Sequence, residues 1–178
     1  MTEKKEILIV IGSASRNSSN LKLMHHLIEL LKEDFQFTIL DDLKRLPHFD
    51  PELSTDNPPT EIITLRDAID KADGIIICTP EYVFSIPSGL KNLIEWCVST
   101  TVFSDKPLGI ITASAHGQKG HEELQLIMKT VMAKFTHETL LLIQGIKGKI
   151  NEGGQITDPK TAAELFLFAN AFKQLVKE

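Results

Sequence analysis

The sequence predicts a doubly wound α/β domain, in which helices cover both faces of a parallel β-sheet. Short apolar runs recur along the chain, segments with helically spaced apolar residues lie between them, and turn-forming residues separate the two kinds of segment. Parallel strands must be joined by a long crossover, which a helix usually provides. Repeated alternation of strand and helix therefore indicates a parallel sheet between two layers of helices.

Five apolar runs are the predicted strands. Four of them are continuous rather than alternating in polarity, which is typical of strands buried on both faces of a parallel sheet. In chain order, the runs occupy residues 7–11, 37–40, 74–78, 108–112 and 139–143.

Five further segments carry apolar residues at three- and four-residue spacing and are predicted to form amphipathic helices. Their stripes are Leu21, Met24, Ile28 and Leu31; Ile62, Leu65 and Ile69; Leu90, Leu93, Ile94 and Cys97; Leu124, Ile127, Met128, Val131 and Phe135; and Leu165, Phe168, Ala169, Phe172 and Leu175. Ser18 or Ser19 is expected to open the first helix. Asp158 is expected to cap the last helix, with Pro159 in its first turn.

Two connections lack a clear helical or strand pattern. Residues 43–59 contain four prolines and few helical signals, which indicates a surface excursion. Residues 144–158 contain four glycines, which indicates a flexible connection. Because no internal repeat or interdomain linker is present, residues 1–178 are predicted to form a single domain, long enough to bury its own core.

With five strands in this pattern, the expected fold is flavodoxin-like, a three-layer arrangement with strand order 2-1-3-4-5. Ligands of such sheets bind beyond the carboxyl ends of the strands, where the order reverses between strands 1 and 3. The loops that follow the first and third apolar runs, at residues 12–20 and 79–87, would meet at this point.

The loop at residues 12–20 has the groups needed to bind a single phosphate. Free N–H groups and the macrodipole at a helix start favour negative charge. Ser13, Ser15, Ser18 and Asn20 add hydroxyl and amide groups, and Arg16 adds a fork-shaped positive charge. The alternative is a serine-rich, N-capped turn without a ligand. The loop lacks the glycine fingerprints of dinucleotide and P-loop sites and the nucleophile elbow of serine hydrolases.

The segment after the third run carries a longer motif: TPEY at 79–82, SIP at 85–87 and LKNLIEW at 90–96. It resembles the signature of the NADPH-dependent FMN reductase family, approximately P-E-Y-N-x-S-x-P-x-x-L-K-N-x-x-[DE]-W. The first loop is similar to the phosphate loop of that family, G-S-x-R-x-x-S-x-N. Segment order and chain length also agree, so the resemblance covers nearly the whole chain.

The resemblance implies a site for flavin mononucleotide (FMN). The phosphate would be held by Ser13, Arg16, Ser18 and Asn20, with Ser15 as a further hydroxyl. The isoalloxazine would be lined by Pro80, Glu81, Tyr82 and Val83, largely through backbone groups, and the candidates in the third loop are Ser114, His116 and Gly117. The implied activity is transfer of hydride from NADPH or NADH, through FMN, to a small acceptor such as a quinone, an azo compound or a flavin.

Three departures from the family pattern stand out. Arg16 lies one position later than the family arginine, and Ser15 occupies the usual place. Val83 replaces the usual asparagine, which removes a side-chain donor and acceptor beside the flavin. The third loop is more polar than in the family and keeps only two glycines, Gly117 and Gly120.

Composition limits the partners. The formal net charge of −5 and the absence of a basic cluster argue against nucleic acid and anionic membranes. We expect no membrane insertion and no signal peptide, and Cys78 and Cys97 fit reduced core residues of a cytoplasmic protein. The six histidines show no spacing typical of metal ligands. By resemblance, we expect a homodimer or homotetramer.

Two alternatives remain at this stage. One is a flavodoxin-type electron carrier, which is not an enzyme, and the other is a binding module. Carriers tend to be more acidic and to enclose the flavin between aromatic rings. With one tryptophan and one tyrosine in the chain, the enzyme is favoured.

Overall fold

The five predicted strands form one parallel sheet in the order β2-β1-β3-β4-β5, as expected. The structure is a computed structural model and describes residues 4–178. The first four strands are slightly longer than their apolar runs, and the fifth is shifted by one residue. The strands are β1 (Lys5–Ile11), β2 (Phe35–Leu40), β3 (Gly74–Thr79), β4 (Leu108–Ser114) and β5 (Leu140–Gln144).

All five predicted helices are present, together with one short additional helix. The helices are α1 (Ser19–Leu31), α2 (Pro51–Ser54), α3 (Thr60–Lys71), α4 (Ser88–Cys97), α5 (Gln118–Thr130) and α6 (Pro159–Lys177). Short 3-10 turns lie at Leu43–Arg45, His137–Thr139 and Ile146–Gly148. The predicted caps are confirmed: Ser18 accepts from the Leu21 N–H, and Asp158 accepts from the Thr161 N–H before Pro159 opens α6.

Both faces of the sheet are buried, which explains the continuous apolar runs. On β1, Ile7, Ile9 and Ile11 belong to one core and Leu8 and Val10 to the other. Helices α1 and α6 cover the first face, and α3, α4 and α5 cover the second. The three-layer prediction is confirmed.

The apolar spacing predicted the positions of the helices correctly, but it predicted their buried faces and their ends less well. In α1, Leu23 and Leu27 are buried, whereas the predicted Leu21 and Ile28 are only partly buried. The fourth stripe extends too far, because α5 ends at Thr130 and Met132 has a positive φ of 62°. A left-handed residue directs the chain away from the helix axis.

The two connections are more ordered than their composition predicts. In the region 144–158, Ile146 and Ile150 are buried in the core, and Ile150 forms a β-bridge with Ile156. The region 43–59 contains a 3-10 turn and α2, and Leu43 and Ser54 are buried within it. Apolar residues among the prolines and glycines therefore dock both connections on the domain. Within residues 4–178, no helix has the length and apolar character to cross a membrane.

The loop after β1 packs closely against the end of β3 at Gly12. A Cβ at this position would lie 2.3 Å from Thr79 Oγ1 and 2.7 Å from Thr79 Cβ. We expect Gly12→Ala to lower the free energy of unfolding by about 1–3 kcal/mol, because a buried strand end cannot move aside freely. Urea unfolding of the purified protein measures this change. The matched control is Gly148→Ala, where no atom lies within 4 Å of the added Cβ. Equal losses for the two variants would contradict the packing argument.

Candidate functional site

The candidate site lies at the carboxyl ends of β1 and β3. These strands are neighbours, and the Gly12 N–H extends their pairing by donating to the Cys78 carbonyl at 2.9 Å. The chain then leaves β1 toward α1 on one face and leaves β3 toward α4 on the other. The divergence of the two connections opens a cleft at the place where the strand order reverses, as the sequence predicts.

The first loop has the donor set of an anion site. The backbone N–H groups of Arg16, Asn17 and Ser19 have no acceptor in the part of the chain described, from residue 4 to 178. Ser13 is buried, and its Oγ accepts from the Ser15 N–H at 3.3 Å. Arg16 is exposed beside these groups, and no carboxylate pairs with it among the described residues. Converging N–H groups, hydroxyls and a free guanidinium fit a phosphate.

Asn20 differs from the other predicted phosphate ligands. It is 3% exposed, its Nδ2 donates to the Ala113 carbonyl at 3.2 Å, and its Oδ1 accepts from Cys78 Sγ at 3.3 Å. Burial raises the pKa of the Cys78 thiol, which keeps it protonated as a donor. The Asn20 amide thus joins α1 to β3 and β4 beneath the cleft, while Ser15 lies exposed above it.

The second loop is a tight hairpin turn. The Tyr82 N–H donates to the Ser85 carbonyl at 2.9 Å, and the Ser85 N–H donates to the Tyr82 carbonyl at 3.1 Å. Between them, Val83 and Phe84 have positive φ angles of 53° and 61°. Two consecutive left-handed residues inside a doubly bonded pair are typical of a type I′ turn. Their N–H groups have no acceptor within residues 4–178.

This turn is strained at Val83. A β-branched residue is strongly disfavoured in the left-handed region, whereas asparagine tolerates it. The left-handed backbone at this position therefore explains why the family has asparagine here. Replacement by valine introduces backbone strain and also removes a side-chain amide. The Val83 side chain is 94% exposed and that of Phe84 is 73% exposed, so neither gains packing within the chain.

The third loop is joined to the second by Glu81. Its carboxylate accepts from the Gly117 N–H at 3.2 Å and from the Gly120 N–H at 2.8 Å, at the start of α5. Its own N–H donates to Ser114 Oγ at 3.1 Å. Gly117 has a φ of 87°, which favours glycine at this cap. Glu81, Ser114 and Gly117 therefore hold the two loops together, while His116 is exposed.

A second carboxylate, Glu123, joins the same two segments in the opposite direction, from α5 to the second loop. This contact was not predicted from the sequence. Glu123 Oε2, from α5, accepts from Ser85 Oγ at 2.7 Å and from the Ile86 N–H at 2.9 Å. A glutamate one turn into a helix looks like an ordinary response to the helix dipole, so its spacing gives no signal of this contact. Together with Glu81, it makes the second and third loops one hydrogen-bonded unit.

The cleft itself has a volume of about 760 Å³. Ser13 and Arg16 line one side, and Tyr82 and the start of α4 line its floor. Ser13 Oγ lies 3.5 Å from the Tyr82 hydroxyl, so the first and second loops meet here. The opposite side is formed by residues 41–46 and His48, most of which belong to the predicted surface excursion at residues 43–59. Of the predicted site residues, Ser13, Arg16 and Tyr82 line this cleft. Those outside the lining are Ser15, Ser18, Asn20, Pro80, Glu81, Val83, Ser114, His116 and Gly117.

His121 is the one buried histidine of the region that the structure describes. Its Nδ1 lies 2.8 Å from Thr112 Oγ1 on β4, and burial lowers its pKa from the ordinary value of 6.5. It is therefore neutral at neutral pH and packs beneath the third loop. No group of His, Cys, Asp and Glu within residues 4–178 has the arrangement of a metal site.

A family model described as NADPH-dependent FMN reductase matches residues 6–145. The chain belongs to this family. The membership confirms an enzyme of the oxidoreductase class with FMN as cofactor and NAD(P)H as co-substrate. It also decides against the electron carrier and the binding module.

Named relatives agree with this assignment. The chain is 32% identical over 165 residues to the NADH:(hydroxy)cinnamate reductase subunit CrdA of Vibrio ruber, covering 89% of this chain and 80% of that protein. It is 25% identical over 187 residues to the quinone reductase of Escherichia coli K12, covering 99% and 98%. The solved structure of FerB, a flavoenzyme NAD(P)H:(acceptor) oxidoreductase from Paracoccus denitrificans, superposes with a TM-score of 0.82 at 28% identity, covering 97% of both chains.

The strain at Val83 is testable. We expect Val83→Asn to raise the free energy of unfolding by about 1 kcal/mol, because asparagine adopts the left-handed conformation at lower cost. Chemical denaturation of the apoprotein measures the difference. Val98→Asn is the control, since Val98 is also exposed but has an ordinary φ of −62°. A gain of the same size at both positions would show that removal of exposed apolar surface, and not strain, is responsible.

The buried neutral His121 predicts a pH dependence of stability. Below pH 6.5 the unfolded chain binds a proton at this position, while the folded chain, with its lowered pKa, resists it. The free energy of unfolding should therefore fall as the pH decreases from 7.5 to 5.5. His121→Asn should flatten that slope, and His25→Asn, at an exposed position of α1, should preserve it. Urea titrations at several pH values measure the slopes; identical slopes for wild type and His121→Asn would exclude this origin.

Proposed function

We propose that this chain passes reducing equivalents from NAD(P)H to a small quinone-type acceptor at the cleft between the first and second loops. The observation that carries the proposal is the exposed Arg16, which lines the same cleft as Ser13 and Tyr82 and lies beside the unpaired N–H groups of Asn17 and Ser19. Relatives named quinone reductase support a quinone as acceptor. NADPH and NADH are both proposed as donors.

The first loop is proposed to hold the FMN phosphate. Ser13 and Arg16 face the cleft, and Ser18 fixes the start of α1 so that the neighbouring N–H groups point outward. Ser15 is available as a further hydroxyl at the surface. Asn20 contributes indirectly, because its amide is used in bonds to Ala113 and Cys78 that keep the loop in place.

The second and third loops are proposed to hold the ring. Bound FMN supplies the hydride chemistry that the side chains of this site lack. The Glu81 and Tyr82 N–H groups are used within the protein, so the N–H groups of Val83 and Phe84 are the backbone donors left for a ligand. Pro80 is buried behind them, and Ser114 and Gly117 fix the loop rather than extend into the cleft. His116 is an exposed candidate at the edge.

The side chains of the cleft are proposed to position the substrates rather than to transfer protons. Tyr82 and the apolar Val83 and Phe84 stand beside the site, where they can contact a flat acceptor. The free N–H groups of Val83 and Phe84 would stabilise negative charge on a reduced ring bound beside them, because fixed donors need no reorganisation. The side chains therefore bind, orient and limit access for the two substrates in turn.

Assembly and location complete the proposal. A homodimer or homotetramer is proposed, since a second copy would cover the exposed Val83 and Phe84. A cytoplasmic location is supported by Cys78 and Cys97, which are free and buried. Burial raises the pKa of Cys97 to about 12, so both thiols are unreactive and compatible with a reducing compartment.

The assignment of Arg16 is tested by Arg16→Ala. Loss of a charge-assisted bond to phosphate is worth about 1.5–3 kcal/mol, so we expect the Kd for FMN to rise roughly 10- to 100-fold. Quenching of FMN fluorescence during titration of the apoprotein measures this Kd. Lys129→Ala removes an exposed cation from the last turn of α5, at the opposite edge of the sheet, and should leave the Kd unchanged.

The wild-type protein gives the broader test. The purified protein should be yellow or should take up added FMN, and it should then oxidise NAD(P)H with a quinone. An unchanged FMN affinity in Arg16→Ala would remove Arg16 from the site. A wild-type protein that neither carries nor takes up FMN would overturn the whole proposal.

A further inference from the structure

Residues 41–48 form a wall of the cleft that the FMN assignment does not use. They follow β2 directly and face the first loop across the cavity. Here we call residues 41–48 the β2 wall. Its position beside the proposed FMN site makes it available to a second ligand of the same cleft.

The β2 wall is anchored to α4 rather than free at the surface. The Pro47 carbonyl accepts from Asn92 Nδ2 at 2.9 Å and from Trp96 Nε1 at 2.8 Å. Immediately after the wall, the Phe49 N–H donates to Asn92 Oδ1 at 2.7 Å, and the Phe49 ring packs edge-on against Trp96 with centroids 5.3 Å apart. Asn92 and Trp96 belong to the family-like motif, and their polar groups are used to hold this segment.

The other end of the wall is fixed by burial. Leu43 is buried in the core under α3 and α4, and a Cβ on Gly89 would lie 3.4 Å from Leu43 Cβ. The 3-10 turn Leu43–Arg45 therefore lies against the start of α4. Because both ends of the β2 wall are fixed, the backbone between them is held in one conformation. Such preorganisation reduces the conformational entropy that is lost when a ligand binds.

The wall carries charges of both signs, with Lys44 and Arg45 beside Asp41 and Asp42, in a chain whose net charge is −5. Lys44, Arg45 and His48 line the cleft and are exposed. Arg45 is paired with Asp42 at 2.9 Å, whereas Lys44 and His48 have no ion-pair or hydrogen-bond partner among residues 4–178. Arg16 faces them from the first loop. Because Arg16 is assigned to the FMN phosphate, Lys44 is the free cation that the wall offers among residues 4–178, and the His48 imidazole follows it four positions along the chain. Both side chains can donate to phosphate oxygens.

Two neighbouring features match the rest of a phosphate-bearing ligand. Asp41 is the first residue after β2 and lines the cleft, where its carboxylate can accept from ribose hydroxyls. The N-cap of α4 is Pro87, which makes no side-chain cap hydrogen bond. Ser88 and Gly89, at the positive end of that helix, also line the cleft.

We propose that the β2 wall binds the phosphate-bearing half of the nicotinamide dinucleotide, with Lys44 and His48 contacting phosphate oxygens. This inference rests on the proposed function, because it assumes that FMN occupies the first loop and that NAD(P)H enters the same cleft. The phosphate contacted is either the pyrophosphate shared by NADH and NADPH or the 2′-phosphate of NADPH. Arg45 is paired with Asp42, so we assign it to the structure of the wall and not to ligand binding.

The test uses the FMN-loaded protein and the double variant Lys44→Gln, His48→Asn. Calorimetry measures the binding of two probes that lack nicotinamide, 2′,5′-ADP and ADP-ribose. We expect the double variant to bind at least one probe roughly tenfold more weakly and to raise the KM for the corresponding dinucleotide, with kcat and the Kd for FMN unchanged. Loss confined to 2′,5′-ADP and NADPH identifies the 2′-phosphate; loss for both probes and both dinucleotides identifies the pyrophosphate.

Lys129→Gln is the control, since it removes one exposed cation far from the cleft and should change none of these values. Unchanged affinity of the double variant for both probes would overturn the inference. So would a matching loss of FMN affinity, which would mean that FMN itself contacts the wall. In either case the wild-type protein would still oxidise NAD(P)H, whereas failure of the proposed function would abolish that oxidation in wild type as well.

Discussion

The pairing of β1 with β3 at their carboxyl ends is the constraint on which the site depends. Gly12 continues the strand ladder to Cys78 and packs directly against Thr79, so the two chains leave the sheet from one point. Because α1 and α4 then lie on opposite faces, the first and second loops part around a cleft. Asn20 stabilises this arrangement, because its side-chain amide joins α1 to both β3 and β4.

The hydrogen bonds around the second loop hold its turn in a strained backbone conformation. The type I′ turn at Val83 and Phe84 holds two non-glycine residues in the left-handed region, at a cost of about 1–3 kcal/mol each. Hydrogen bonds to Glu81, Glu123 and Ser114 surround the turn and link it to α5. With several bonds worth about 1 kcal/mol or more each, the frame offsets the strain, and the N–H groups of the turn stay directed outward.

The chemistry of this protein belongs to its cofactor, and its polar side chains mainly hold positions. Glu81 and Glu123 unite two loops, and Asn92 and Trp96 fasten the β2 wall to α4. Each of these groups is partly or fully buried and paired within the chain, which is how buried polar groups are stabilised. Within residues 4–178, the cleft is lined instead by polar side chains without an ion-pair partner, including Arg16, Lys44 and His48.

The sequence by itself determined the five strands, the main helices, the strand order and the two loops at the switch point. These depend on periodic burial and local caps, which are visible in neighbouring residues. Tertiary structure alone decided that Glu81 and Glu123 connect the second and third loops, that Asn20 is an internal clamp, and that residues 41–48 form a wall. Each of these depends on groups that are 30 or more residues apart in sequence, or on a backbone conformation, as at Val83, that opposes the local preference. Local pattern cannot encode them, because packing across the sheet edge determines which distant groups meet.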